Sequence, residues 1–251
     1  RGRTGKPYNR KLLKFQHSMQ PVSYAQSADT RVATSPAGSL LAHWRVAVLV
    51  PCYNEAATID TVVRDFQHAL PHAEIYVFDN DSSDDTAQRA RLAGAQVRPV
   101  LYRGKGNVIR RMFADIDADV YVLVDGDGTY DAGAAPRLVQ TLIDGGLDMV
   151  VGTSITDEHD AYRRGHRLGN RILTQCVATL FGRTFTDMLS GYRAFSRRFV
   201  KSFPAHASGF EIETEFTVHA LELRMPVAEI PTQVEYLGRW SSNSGDDHAA
   251  I

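Results

Sequence analysis

Cysteine is nearly absent from this chain, with 2 in 251 residues. Cys52 and Cys176 are too few and too far apart to suggest a disulfide framework or a zinc cluster, so a reducing, cytoplasmic setting is the expectation. No stretch approaches the roughly eighteen apolar residues of a membrane-spanning helix, and no signal peptide is visible. A soluble or peripheral protein is therefore expected. An excess of one charge is also missing. Lys and Arg number 28 against 29 Asp and Glu, a formal net charge of −1. That balance supplies no global basic field and argues against nucleic acid as a partner. There is no internal repeat and no low-complexity tract.

What the chain does contain is core material. Hydrophobic residues make up 43% of it, ordinary for a globular protein, and 251 residues suit one large α/β domain. The charge is unevenly spread. Arg1, Arg3, Lys6, Arg10, Lys11 and Lys14 precede the first acidic residue, Asp29. Residues 1–42 are polar and aperiodic. They read as a flexible basic arm or, alternatively, as a patch for anionic lipid headgroups. Residues 43–237 form the expected folded domain, and the Ser-, Asn- and Asp-rich residues 238–251 a loose tail.

Within 43–237, strand-like and helix-like segments alternate. Arg45 to Val50 reads as a strand ending at Pro51, and Ala57 to Ala69 as a helix with Ile59, Val62, Val63, Phe66 and Leu70 at helical spacing. Glu74 to Phe78 is a second strand, followed by a polar turn, Asp79 to Thr86, that supplies an N-cap. Gln96 to Val100 reads as a short edge strand and Gly106 to Ile116 as a helix. Val120 to Val124 and Met149 to Gly152 are further apolar strands. Later segments read as a helix over 162–181, a helix from Glu213 to Arg224, and an extended stretch from Val227 to Tyr236. The alternation implies a largely parallel sheet with right-handed crossovers.

Asp125-Gly126-Asp127 closes the run Val120 to Val124, which reads as a buried parallel strand. Carboxylates at the carboxyl end of such a strand sit where open α/β sheets bind ligands. Two acids flanking a small residue can hold a divalent cation and admit a ligand, most naturally a diphosphate. Two other polar clusters also end strands: Pro51-Cys52-Tyr53-Asn54-Glu55, and Asp79 to Asp85. In a parallel sheet all three emerge on one edge and can converge on one ligand.

Together with Arg103-Gly-Lys-Gly-Asn107 and Asp187-Met-Leu-Ser-Gly-Tyr-Arg193, these segments make the chain resemble family 2 glycosyltransferases of the GT-A fold, in the polyprenyl-phosphate branch that includes dolichol-phosphate mannose synthase. The resemblance runs from about Val46 to Tyr236. It implies a single α/β domain, a mostly parallel sheet flanked by helices, that transfers a sugar with inversion from a UDP- or GDP-sugar to a polyprenyl phosphate. It implies Mg²⁺ or Mn²⁺ as cofactor, held by Asp125 and Asp127 against the diphosphate, where a cation neutralises charge on the leaving group. It places Pro51, Tyr53, Asn54, Glu55, Asp79, Asp81, Lys105, Asp125 and Gly126 on the nucleotide-sugar, with Asp79 reading the base. Asp127, Asp187 and Arg193 are its catalytic candidates, Asp187 orienting the nucleophile or the metal. Ser190, Arg193, Arg164 and Arg167 would meet the acceptor phosphate, Arg193 as a planar bidentate cation, with Arg163 and Arg171 extending the basic surface. The family often continues into a basic, Ser-rich loop and membrane segments, which Arg239 to Ser244 only faintly resembles. A peripheral location at the cytoplasmic face of a membrane follows as an expectation.

Other readings stay open at the level of sequence. Lys105 suits an ordinary turn as well as a phosphate contact, and it is not part of a P-loop. The arginines of 162–181 suit a solvated helix face. Glu211, Glu213 and Glu215 alternate, which would set them on one face of a strand, or they start a helix, where acids complement the dipole. His166, His206 and His219 lack metal-ligand spacing. Val124 to Thr129 also satisfies the nucleophile motif of haloacid-dehalogenase-type phosphatases. That class needs a downstream lysine, here only Lys201, and an acidic pair, here only Asp246-Asp247. A nucleotidyltransferase, a GT-A enzyme with a non-lipid acceptor and a non-catalytic nucleotide-binding module are further alternatives.

Overall fold

The computed structural model describes residues 43–155 and 187–233, all within the unit Ala37–Ile251. Seven strands form one sheet in the order β3-β2-β1-β4-β6-β5-β7. They are β1 Val46–Cys52, β2 Glu74–Asp79, β3 Gln96–Pro99, β4 Val120–Leu123, β5 Met149–Ile155, β6 Arg193–Ser196 and β7 Val227–Gln233. β1 pairs in parallel with β2 and β4, and β2 with β3 at the edge, as the alternation of elements implied. β6 runs antiparallel to both β4 and β5. Only four residues long, it carries too little pattern to be read from sequence.

The strand before Pro51 is longer than expected, because β1 continues through Pro51 to Cys52. A proline is tolerated there because the ladder to β4 stops at Leu49 opposite Leu123. Leu49 turns its carbonyl toward β4, accepting from Val124 N at 3.1 Å. Pro51, two residues on, would turn its missing N–H to the same side, past the end of that ladder.

Helices cover both faces. α1 Ile59–Ala69 buries Ile59, Val62, Val63 and Phe66, the stripe the sequence shows. α2 Thr86–Leu92 and α3 Lys105–Asp115 follow β2 and β3. α4 Ala135–Asp144 buries Ala135, Leu138, Val139 and Leu142. It was not anticipated, although its spacing is helical. α5 Arg197–Ser202 starts at a Ser196 cap that accepts from Phe199 N, and α6 is Ile212–Glu222.

Alternation along the strands sorts the core into two layers. Leu49, Phe78, Tyr121, Leu123 and Phe195 join the layer beneath α3, α5 and α6. Val48, Val50, Val77, Val122 and Ala194 join the layer beneath α1 and α4. In the first layer Phe195 lies 4.7 Å from Phe199 and 4.9 Å from Phe216, centroid to centroid. Each such ring contributes roughly 1.5–3 kcal/mol by leaving water. Among the described residues, no helix is long and apolar enough to cross a membrane.

Candidate functional site

Register brings the chemistry together. Cys52 pairs with Asp79 across β1 and β2, and Val124 follows β4 directly beside them, so three polar turns leave the sheet at one carboxyl edge. The turn after β1 is laced to the turn after β2. Asn54 N donates to Ser82 Oγ at 2.9 Å, Ser83 N to Asn54 Oδ1 at 2.8 Å, and Glu55 N to Thr86 Oγ1 at 2.8 Å. Asn54 and Asp81 sit at φ 56° and 63°, a left-handed geometry that asparagine and aspartate tolerate better than most residues. Asp85 gives no side-chain cap to α2, but Asp84 Oδ1 accepts from Thr86 N, the first N–H of the helix, at 3.0 Å, while its Oδ2 accepts from Ala56 N of the neighbouring turn at 3.1 Å.

The β2 turn also shapes one wall of the cleft. Asn80 is fully buried and spends its amide on the next loop, donating to the carbonyls of Val100 and Tyr102 and accepting from Gly104 N. Asp79 beside it is buried, and its Oδ1 has no hydrogen-bond partner. A buried carboxylate oxygen with no donor is costly, and it marks a position that a ligand N–H would satisfy. The Arg103 guanidinium stacks 4.1 Å above the Tyr53 ring and donates to the Asp81 carbonyl at 2.8 Å.

The two acids after β4 differ sharply. Asp127 is exposed, with Oδ1 accepting from Thr129 N at 2.9 Å. Asp125 is partly buried, and its Oδ1 lies 2.6 Å from Lys105 Nζ. Its other oxygen faces Gly191 so closely that a Cβ there would collide with it. Gly126 between them is equally confined, since a Cβ would sit 2.5 Å from Cys52 Sγ. Tyr130 OH accepts from Gly191 N at 3.0 Å, and burial with Asp125 nearby keeps its phenol protonated.

Glu55 faces this pair. Burial, then Asp127 and Asp125, push its carboxyl up to about 7. The edge thus carries more negative charge than its neighbours compensate. Among the described residues no three His, Cys, Asp or Glu side chains form a closed metal cage. Two carboxylates on an open turn with surplus negative charge do fit a hard divalent cation that completes its shell with phosphate and water.

Several sequence expectations are corrected. Lys105 is not on a flexible turn. It opens α3, is 2% exposed, and places its ammonium between Asp125 and Glu213, the latter at 2.7 Å. Burial opposes its charge, but the two carboxylates keep it protonated. Arg193 cannot meet an acceptor phosphate as expected. It is fully buried, donating to the carbonyls of Ser190 and Met188 and to Thr217 Oγ1. Ser190 is likewise buried, its hydroxyl donating to the Gly152 carbonyl at 2.6 Å. Asp187 is half-buried, its Oδ1 accepting from Leu189 N at 3.1 Å. Arg163, Arg164, Arg167, Arg171, His166, Cys176 and the tail from residue 238 lie outside the described residues.

Glu213 was read as one of three alternating acids on a strand face or as a helix-start acid, and it lies in the first turn of α6. The signal for more was its place on the stripe Ile212, Glu213, Phe216, Thr217, Ala220, where every neighbour is buried. A carboxylate on such a stripe needs a partner. The phosphatase alternative fails on geometry. Lys201 donates to the carbonyls of Phe113 and Ile116 and lies 3.9 Å from Asp117, at the opposite end of β4 from Asp125.

The chain is similar to known proteins in sequence and in fold. The sequence pattern described as glycosyl transferase family 2 matches residues 47–203. Protein RfbJ of Shigella flexneri is 54% identical over 125 residues, 49% of this chain and 97% of that one. A dolichyl-phosphate hexose transferase of Haloferax volcanii is 32% identical over 153 residues, 61% of this chain and 66% of that one. The structure of Mycobacterium tuberculosis glucosyl-3-phosphoglycerate synthase with Mn²⁺, UDP and phosphoglyceric acid superposes at a TM-score of 0.66 and 26% identity, over 79% of this chain and 72% of that one. The same synthase has been crystallised with Mg²⁺ and UDP.

Proposed function

The chain belongs to glycosyltransferase family 2, and on that premise we propose that it moves one sugar from a UDP- or GDP-sugar to a polyprenyl phosphate at the cytoplasmic face of a membrane. As a family member of the GT-A fold it is a metal-dependent, nucleotide-sugar-using enzyme. The observation that carries the donor half is the convergence of Asp79, Glu55, Asp125 and Asp127 on one sheet edge. The acceptor half is supported by similarity to the dolichyl-phosphate hexose transferase.

Each residue then has a physical task. The free Oδ1 of Asp79 would accept an N–H of the base, and the Tyr53 ring, once Arg103 moves off it, would stack on the base face. Pro51, Asn54 and Asp81 would shape the nucleotide wall; at Gly126 the space a side chain would take is filled by Cys52 Sγ and is not open to a diphosphate, contrary to the sequence expectation. Asp125 and Asp127 would hold Mg²⁺ or Mn²⁺, which when bound supplies charge neutralisation for the leaving diphosphate. An acceptor phosphate oxygen is already ionised at neutral pH, so attack at the anomeric carbon, in line and with inversion, needs no strong general base. Asp187 would orient that nucleophile. With Arg193 and Ser190 committed to the interior, Arg164 and Arg167 are left to carry the acceptor-phosphate role. The basic residues of the arm suit an anionic membrane surface.

A second reading has one specific observation behind it. The synthase structure contains phosphoglyceric acid, a small soluble acid, on the same fold. Mass spectrometry of products from UDP-, GDP- and dTDP-sugars would decide, using Mn²⁺ and either undecaprenyl phosphate, dolichyl phosphate or 3-phosphoglycerate. A glycosyl-phosphoryl lipid supports the proposal; a glycosylated soluble acid with no lipid product replaces it with the second reading.

A further inference from the structure

Lys105 bridges two carboxylates from different elements, Asp125 at the end of β4 and Glu213 at the start of α6, at 2.6 and 2.7 Å. The bridge is built rigidly. Gly106 N donates to Ser208 O at 3.0 Å, and a Cβ on Gly106 would strike the carbonyl of Ala207, so the start of α3 is pressed on the segment leading into α6. The ammonium is 2% exposed, with the Phe210 ring 5.7 Å away. It has no route to solvent phosphate without breaking both pairs.

This arrangement makes the two acids of the turn unequal. Asp127 is the exposed one, while Asp125 shares its charge with Lys105, and how completely it does so depends on how strongly Glu213 draws the same ammonium. We propose that Glu213 is a positioning residue that sets the cation affinity of the Asp125/Asp127 pair by sharing with Asp125 the Lys105 ammonium that both carboxylates contact. With Glu213 neutral, the whole ammonium charge falls on Asp125, in a poorly solvated setting where one charge at about 3 Å has a large effect. The inference rests on the reading of Asp125 and Asp127 as cation carboxylates and is independent of the acceptor.

The test is a cycle of four full-length proteins, wild type, Glu213→Gln, Lys105→Met and the double variant. Mn²⁺ is titrated in the presence of UDP, and protein-bound Mn²⁺ is read by electron paramagnetic resonance against Mn²⁺ and UDP alone. Glu213→Gln is expected to weaken Mn²⁺ binding by roughly tenfold. Lys105→Met is expected to bind at least as tightly as wild type, and adding Glu213→Gln to it should change nothing further. Equal binding by wild type and Glu213→Gln overturns the inference, as does equal weakening in both Lys105 backgrounds, which would mean that Glu213 acts directly. A wild type that takes up no Mn²⁺ even with UDP overturns the cation reading as well. Should Glu213→Gln not fold, Glu213→Asp keeps the charge but shortens the reach. Weaker Mn²⁺ binding is again expected, and unchanged binding contradicts the inference.

Discussion

Thr58 Oγ1 donates to the carbonyl oxygen of Gly126 at 2.7 Å, tying the turn after β1 to the turn that carries both candidate cation carboxylates. The same hydroxyl lies 3.3 Å from the Glu55 carbonyl, so the start of α1, the Glu55 backbone and the acidic turn meet at one side chain. Pre-organisation of this kind lets charge be met without rearrangement during reaction.

That confinement makes Gly126 sensitive for reasons of space. A Cβ would sit 2.5 Å from Cys52 Sγ, so Gly126→Ala is expected to cost about 1–3 kcal/mol of stability by overpacking. Adding Cys52→Ala should recover most of the loss in urea melts. No recovery would mean that the close contact is not what excludes a side chain.

Arg193 is expected to matter for folding. Its guanidinium serves the carbonyls of Ser190 and Met188 and the Thr217 hydroxyl in the interior. Arg193→Met leaves these acceptors unpaired and should lower stability by on the order of 3–5 kcal/mol. A variant of wild-type stability that has lost only acceptor affinity would restore the phosphate-binding role and refute the structural one.

Glu55 predicts a pH dependence of the metal-free protein. Its carboxyl is raised from an ordinary 4.5 to about 7, chiefly by burial, then by Asp127 and Asp125. The native state therefore holds a proton that the unfolded chain has released between those values. Its contribution is fully present below pH 4.5 and is lost as pH rises through about 7. Melting temperatures of the metal-free wild type should fall over that window relative to Glu55→Gln, whose side chain does not titrate. Parallel curves would contradict the assignment.

Asp79→Asn tests the orphaned acceptor. The substitution is nearly isosteric but replaces a charged acceptor with a neutral amide, at a position buried beside Asn80. UDP affinity is expected to drop by about 10- to 100-fold, the scale of one mispaired buried hydrogen bond, with the melting temperature unchanged or raised. Unaltered UDP affinity would remove Asp79 from the base site.

The convergence of the acidic turns on one sheet edge was legible in the sequence because its signals are local. An apolar run delivers Asp125 and Asp127, and the same grammar delivers Glu55 and Asp79. α1 showed itself through Ile59, Val62, Val63 and Phe66. The acceptor motif misled for the opposite reason. Ser190 and Arg193 look like surface chemistry, and only the packing of β6 between β4 and β5 turns both inward. Lys105 and Glu213 are 108 residues apart, so no window of sequence could join them. A charge on the buried stripe of α6 was the one clue available.

The site proposed at this edge is a cation-dependent site for a nucleotide diphosphate. Isothermal titration of UDP, with and without Mn²⁺, into wild type and Asp127→Ala tests it most directly. Asp127 is exposed, with Oδ1 accepting from the neighbouring Thr129 N–H, so the variant should fold as wild type does. Mn²⁺ is expected to tighten UDP binding to wild type by tenfold or more, the scale of one charge-neutralising contact, and to have no such effect on Asp127→Ala. UDP binding that is indifferent to Mn²⁺, or equally Mn²⁺-dependent without Asp127, would contradict it.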